Sequence, residues 1–285
     1  MLGLGNSITS GSVVSEFSPI NISTLVGWWD FTDTRFIYSD DGSTAIADDT
    51  AIYRIDNKAY VLQNSNANAL GAHLRQIGAD ARPTWKGDGF ARFDGTDDSI
   101  FSDINNGPVS TGKTSDTTLN GIAMTIFYVA DANATSVGSD QYLLNISAAD
   151  PADRMSVYID DNSSTDRWQW HIQNNSARTN TVMNCGQNLA DAKELWTVHL
   201  DSASASSFYR DGDTSDGVSN GSSDDHDIDL SDNDIHCQMY LGRKPGEAGT
   251  FFSGDIYEVI IYDKVLTSDE LTTVETYLKN KHSIS

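Results

Sequence analysis

A chain of 285 residues with 41 acidic and 18 basic side chains carries a formal charge of −23 and a pI near 4.3. Phosphate contacts need clustered Lys and Arg, so this balance excludes a nucleic-acid partner and attraction to an anionic membrane surface. Glu occurs only at 16, 194, 247, 258, 270 and 275, leaving 41 − 6 = 35 Asp, and Asp favours caps and turns where Glu favours helices.

The N-terminus, Met1 to Gly11, lacks the basic start and apolar stretch of a secretory signal, so the expectation is a protein used without the usual export route. No apolar run approaches the ~20 residues of a membrane-spanning helix, which excludes membrane insertion by one. Residues 1–24 form a Gly/Ser/Thr-rich extended arm with no usable period. From Leu25 the texture changes, and residues 25–285 read as one domain of short apolar runs separated by Gly, Asn, Asp and Ser.

Strands are expected at Leu25–Phe31, Phe90–Phe93, Ile122–Ala130, Tyr142–Ile146 and Met155–Ile159. Further along they are expected at Arg167–Ile172, Leu195–Leu200, Ser206–Arg210, Gln238–Gly242 and Gly254–Tyr262. Tyr, Val, Ile, Phe, Trp and Thr dominate these runs, as half-buried pleated surfaces prefer. The intervals hold no helix-length pattern, which favours antiparallel sheets packed face to face over alternating strands and helices. One helix closes the chain: Thr267 and Glu270 form a capping box, Leu271, Val274, Tyr277 and Leu278 recur at helical spacing, and Lys279 and Lys281 face the negative end of the dipole. The fold class is therefore all-β, an antiparallel β-sandwich with one short C-terminal helix.

Arg82-Pro-Thr-Trp85, followed by Phe93-Asp-Gly-Thr-Asp-Asp98, resembles a segment of concanavalin A-like, laminin-G-type jelly-roll domains. The end of the chain, from Gly254 to Asp263 and then Leu266 to Leu278, is similar to the last strand and closing helix of that family. Leu195–Leu200 with Phe208–Gly212 resembles its penultimate hairpin, and Tyr240-Leu-Gly242 the strand after it. The resemblance implies a jelly-roll sandwich from Leu25 to His282. It leaves function open, because this fold hosts lectins, adhesins, glycanases and virion proteins. The arm, with Gly3-Leu-Gly-Asn-Ser7 leading into Val13-Val14-Ser15, resembles the starts of structural proteins of tailed bacteriophages.

The glycanase branch of the family carries Glu-x-Asp-x-(x)-Glu on one strand, since a retaining mechanism needs paired carboxylates about 5–5.5 Å apart. None of the six Glu stands in that pattern. Gly5-Asn-Ser-Ile-Thr9 resembles the nucleophile block of SGNH esterases, but no His is preceded three positions earlier by Asp. The expectation is no enzyme. Asp224, Asp227 and Asp229 crowd oxygens into one loop, readable as a Ca2+ site or as a solvated, self-repelling acidic stretch. No EF-hand loop is spelt, and Asp211-Gly212 reads as a hairpin turn. Otherwise no cofactor is expected.

Trp168, Trp170 and Ile172 share one strand face, expected to be core, and Arg167, Gln169 and His171 share the other. Trp28 and Trp29 point to opposite faces, placing one of them exposed or beneath the arm. His171 and His199 sit within strand patterns and are read as structural. Two cysteines, Cys185 and Cys237, are too few for a disulfide framework and leave pairing and two free thiols both open.

These readings together describe a non-enzymatic virion structural protein of the capsid-decoration, spike or fibre type, assembled in the host cytoplasm. Leu2, Leu4, Ile8, Val13 and Val14 would supply assembly contacts to other virion proteins, homo-oligomer formation is expected, and a host surface glycan is a further partner. The alternative is a lectin-like carbohydrate-binding module, Ca2+-dependent or not.

Overall fold

The computed structural model describes residues 17–41, 44–63, 71–102, 124–147, 154–161, 166–174, 179–184, 188–200, 207–218 and 238–285. In chain order the strands begin with β1 (Leu25–Asp30), β2 (Ile37–Tyr38), β3 (Thr50–Ala51), β4 (Arg54–Asp56), β5 (His73–Arg75) and β6 (Thr84–Lys86). They continue with β7 (Phe90–Asp94), β8 (Ile100–Ser102), β9 (Met124–Asp131), β10 (Gln141–Ser147), β11 (Arg154–Asp160) and β12 (Arg167–Asn174). The last are β13 (Thr179–Asn184), β14 (Glu194–Leu200), β15 (Ser207–Arg210), β16 (Asp213–Val218), β17 (Gln238–Leu241) and β18 (Ser253–Tyr262). Two helices, α1 (Lys58–Leu62) and α2 (Ser268–His282), accompany them.

The strands form two antiparallel sheets. The first has the order β16-β15-β14-β9-β18-β7-β6-β3, and β1 pairs with the C-terminal half of β18 where β7 pairs with its N-terminal half. The second runs β13-β12-β11-β10-β17-β8-β5-β4-β2. Consecutive hairpins such as β13-β12-β11-β10 alternate with non-consecutive neighbours such as β14-β9-β18-β7 and β10-β17-β8-β5, the crossovers expected of a jelly-roll sandwich. Every run expected to be a strand contributes to a strand. Trp168, Trp170, Trp196, Trp29, Tyr128, Phe208 and Phe252 fill the space between the sheets, with Tyr128 stacked on Trp196 at 6.5 Å and Trp196 5.0 Å from Phe208. A side-chain period of two along each strand puts these residues on the inner faces and leaves alternate positions outward.

The outer face of the first sheet is covered. Val274 and Leu278 of α2 pack on Leu25, Trp28, Phe127, Val129, Leu195, Ile260 and Tyr262, a second core. Thr267 accepts from the Glu270 amide and Glu270 accepts from the Thr267 amide, the reciprocal cap expected of this helix. Of the arm, residues 17–24 are described: Phe17 packs edge-on against Tyr277 at 5.7 Å, and Ile22 joins the second core. Residues 1–16, including Leu2, Leu4, Ile8, Val13 and Val14, lie outside the described residues.

Of the Trp28–Trp29 pair neither is exposed: Trp29 lies between the sheets, and Trp28 lies in the second core, which Ile22, Phe17 and Ile20 of the arm join. Both are buried, and the Trp28 indole is held by charged groups as well as by apolar ones. Its Nε1 donates to Glu258 Oε1 at 2.7 Å, and Lys58 Nζ lies 4.1 Å from its ring. Lys58 also reaches Asp30 at 2.8 Å and Asp33 at 2.9 Å, while Lys281 bridges Asp30 and Glu258 at 2.7 Å each and His282 Nε2 meets Glu258 at 2.6 Å. Burial works against the Asp30 charge, but Lys281 and Lys58 hold its carboxyl below the usual range. This buried ion network fastens α1 and α2 to β1 and β18.

Candidate functional site

The outer face of the second sheet carries no helix among the described residues. Because Ile37, Ile55, Leu74, Ile100, Leu241, Ile146 and Val157 turn inward, their neighbours turn outward. Strand register then aligns one transverse row. Tyr38 lies opposite Arg54, Arg54 opposite Arg75, Arg75 opposite Phe101, and Phe101 opposite Tyr240. The row continues from Tyr240 to Asn145, Ser156 and His171. At about 4.8 Å per strand, these seven steps cross roughly 34 Å of sheet.

Rings and cations alternate along the row. The Arg54 guanidinium sits 4.2 Å from the Tyr38 ring, with its Nε 3.0 Å from Asp56. Phe101 and Tyr240 are 5.4 Å apart, and the Arg243 guanidinium lies over both, 5.8 Å and 5.1 Å from their centroids. Burial raises the Tyr240 hydroxyl pKa, and Arg243 opposes the shift. Gly242 makes this placement by turning the chain out of β17 at a φ of 91°, where a Cβ would meet Phe93 at 2.5 Å.

Away from the row the same face carries Tyr142 stacked on Tyr158 at 4.8 Å, with Lys244 5.3 Å above Tyr142. The Tyr158 hydroxyl donates to Gln169, whose Nε2 donates to Asp160 at 2.7 Å. Burial pushes the Tyr142 hydroxyl up to about 12, so it stays a neutral donor and acceptor. Asn145 donates to Ser156 Oγ at 2.8 Å, and its fully buried Oδ1 has no partner among the described residues. His171 is buried in this face beside Tyr158, and His199 contacts the Leu266 carbonyl at 3.3 Å, both within strands as expected. Trp168 and Trp170 turn into the core, as their spacing indicated.

The loop residues Asp224, Asp227 and Asp229, and both Cys185 and Cys237, lie outside the described residues. A different carboxylate group is brought together instead. Asp94, Asp97 and Asp98, in the turn after β7, offer oxygens within 4.8 Å of one another. Burial, with the neighbouring Asp94 and Asp97 charges, pushes Asp98 up to about 6. Three carboxylates fit the oxygen chemistry of Ca2+ but supply only part of its six to eight ligands. Asp98 is already engaged by the Asp94 amide at 3.0 Å, and Asp94 by the Thr96 amide at 2.8 Å, as in an Asx turn. Asp211-Gly212 forms the two-residue hairpin between β15 and β16, with φ of 51° and 74°, the turn its sequence indicates.

Along this row Tyr38, Arg54, Arg75, Phe101 and Arg243 are half-buried while Tyr240, Asn145, Ser156 and His171 are buried, so the part able to take a flat polar ligand such as a sugar is the stretch from Tyr38 to Phe101 with Arg243. The model of the Concanavalin A-like lectin/glucanases superfamily matches residues 103–272, more than half of the chain, and the protein belongs to that superfamily. No curated protein matches it in sequence. Among solved structures, Trypanosoma rangeli sialidase is 15% identical with a TM-score of 0.50, over 89% of this chain and 33% of that one. The same enzyme with 2,3-difluorosialic acid, a covalent intermediate, is 13% identical with a TM-score of 0.51, over 89% and 33%. The Ruminococcus gnavus IT-sialidase CBM40 bound to alpha2,3 sialyllactose is 17% identical with a TM-score of 0.45, over 61% of this chain and 91% of that one. The chain spans about a third of the length of the sialidase it matches, and the likeness is one of fold.

Proposed function

We propose that this protein is a non-catalytic carbohydrate-binding module that takes glycan on the outer face of its second sheet. The observation that carries this reading is the register-aligned row Tyr38–Arg54–Arg75–Phe101–Tyr240 on the face that no described helix covers. Aromatic rings supply a large apolar face for the C–H side of a sugar, and the adjacent guanidiniums supply donors for its hydroxyls. Superfamily membership supports the reading, and the missing Glu-x-Asp-x-(x)-Glu pattern supports binding without hydrolysis. A glycan array should show binding to a restricted set of glycans, and Phe101→Ala with Tyr240→Ala should weaken it at least tenfold while the fold is retained. No glycan bound by the intact protein would contradict the proposal. Repeating the array with EDTA reports whether Ca2+ takes part.

A second reading is compatible with the first. The arm's likeness to phage structural proteins supports a module carried on a virion, with Leu2, Leu4, Ile8, Val13 and Val14 contacting neighbouring subunits. Deleting residues 1–16 should then abolish incorporation into particles and leave glycan binding intact. Normal incorporation of the truncated protein would remove this reading.

A further inference from the structure

Charge is distributed against the average of the molecule. On a chain of −23, the outward strand positions of the second sheet hold Arg54, Arg75, Arg154 and Arg167 against Asp56 and Asp160. Arg243 joins them from the turn after β17, and it differs from Arg54 in having no carboxylate partner among the described residues. Its guanidinium is held by the faces of Phe101 and Tyr240 instead. The guanidinium also hydrogen-bonds the Tyr240 hydroxyl, and its buried Nε has no hydrogen-bond partner among the described residues, a donor that a carboxylate would satisfy. Arg75 stands beside it, since its register partner is Phe101.

We infer that the ligand of this face is a saccharide bearing isolated carboxylate groups, with Arg243, held over Phe101 and Tyr240, binding the carboxylate. The inference rests on the carbohydrate-binding reading above. The net charge selects among anionic ligands. A densely charged polymer approaching the whole molecule meets the repulsion of −23, whereas a single carboxylate is governed by charges within a Debye length of about 8–10 Å.

Binding of the full chain to matched probes tests this directly by calorimetry: 3′-sialyllactose against lactose, trigalacturonate against its methyl ester, and a heparin oligosaccharide. The acidic member of a pair should bind at least tenfold more tightly than its neutral counterpart, and heparin should not outcompete it. Arg243→Ala should cost about 10- to 100-fold, the range of a charge-assisted bidentate contact, and Arg243→Lys should recover part of it. Thermal unfolding of Arg243→Lys should match the parent, because Arg243 has no ion pair among the described residues and lysine keeps a cation over the rings. Equal affinity for acidic and neutral members overturns the carboxylate preference and leaves the carbohydrate reading standing. Acid-selective binding that survives Arg243→Ala overturns the assignment to this face. Preference for heparin overturns the isolated-carboxylate class, and no binding to any saccharide overturns both the inference and the reading beneath it.

Discussion

Asp98 carries an electrostatic cost that a single substitution exposes. Its carboxyl is buried against Asp94 and Asp97, and its pKa is pushed from 3.8 to about 6. With the folded value above the unfolded one, the native state binds the proton more tightly. This contribution is fully present below pH ~4 and is lost as pH rises through about 6. Asp98→Asn keeps an oxygen for the Asp94 amide and removes the charge. It should raise stability by about 2 kcal/mol at pH 8 and by nothing near pH 4, read from urea unfolding at both values. Loss of stability at pH 8 would show instead that the ionised carboxylate is needed, as a cation ligand would be. The sequence displayed these residues within Phe93-Asp-Gly-Thr-Asp-Asp98 as a family likeness, but only the turn geometry shows that all three carboxylates converge.

At the scale of elements, α2 is docked by two different means. Its apolar stripe was readable from the spacing of Leu271, Val274, Tyr277 and Leu278, and its start from the Thr267–Glu270 box. Its ionic fastening was not, because Trp28 and Glu258 are 230 positions apart and meet only through the pairing of β1 with β18. Glu258 is fully buried and shared by Trp28, Lys281 and His282, so neutralising it leaves Lys281 without one of its two anions. Glu258→Gln should cost about 3 kcal/mol in urea unfolding, and pairing it with Lys281→Met should cost less than the two changes summed. Strict additivity would show that the groups do not act as one network.

The same contrast holds for the strands. Runs such as Leu195–Leu200 and Gly254–Tyr262 are long and apolar enough to announce themselves. Strands of two or three residues such as β2, β4, β5 and β8, and the single turn of α1 behind its Asn57 cap, are shorter than any period can reveal. Those short strands carry Tyr38, Arg54, Arg75 and Phe101. The candidate site therefore stayed illegible where the sandwich was plain, since its row exists only as register between strands far apart in the chain.

For the whole molecule, the two faces of the sandwich have separate tasks. The first sheet spends its outer surface on α1, α2 and residues 17–24, which adds a second apolar core. The described strands of the second sheet keep a polar, aromatic, locally cationic outer face on a strongly acidic protein, which supplies short-range attraction there. The most direct test of that division is to map glycan-induced amide shifts by NMR on the full chain. Shifts concentrated in β4, β5, β8 and β17 and the turn at Gly242–Lys244, with the residues around α2 unmoved, are the expected result. Shifts confined to the first sheet or to α2, with the second sheet silent, would contradict it.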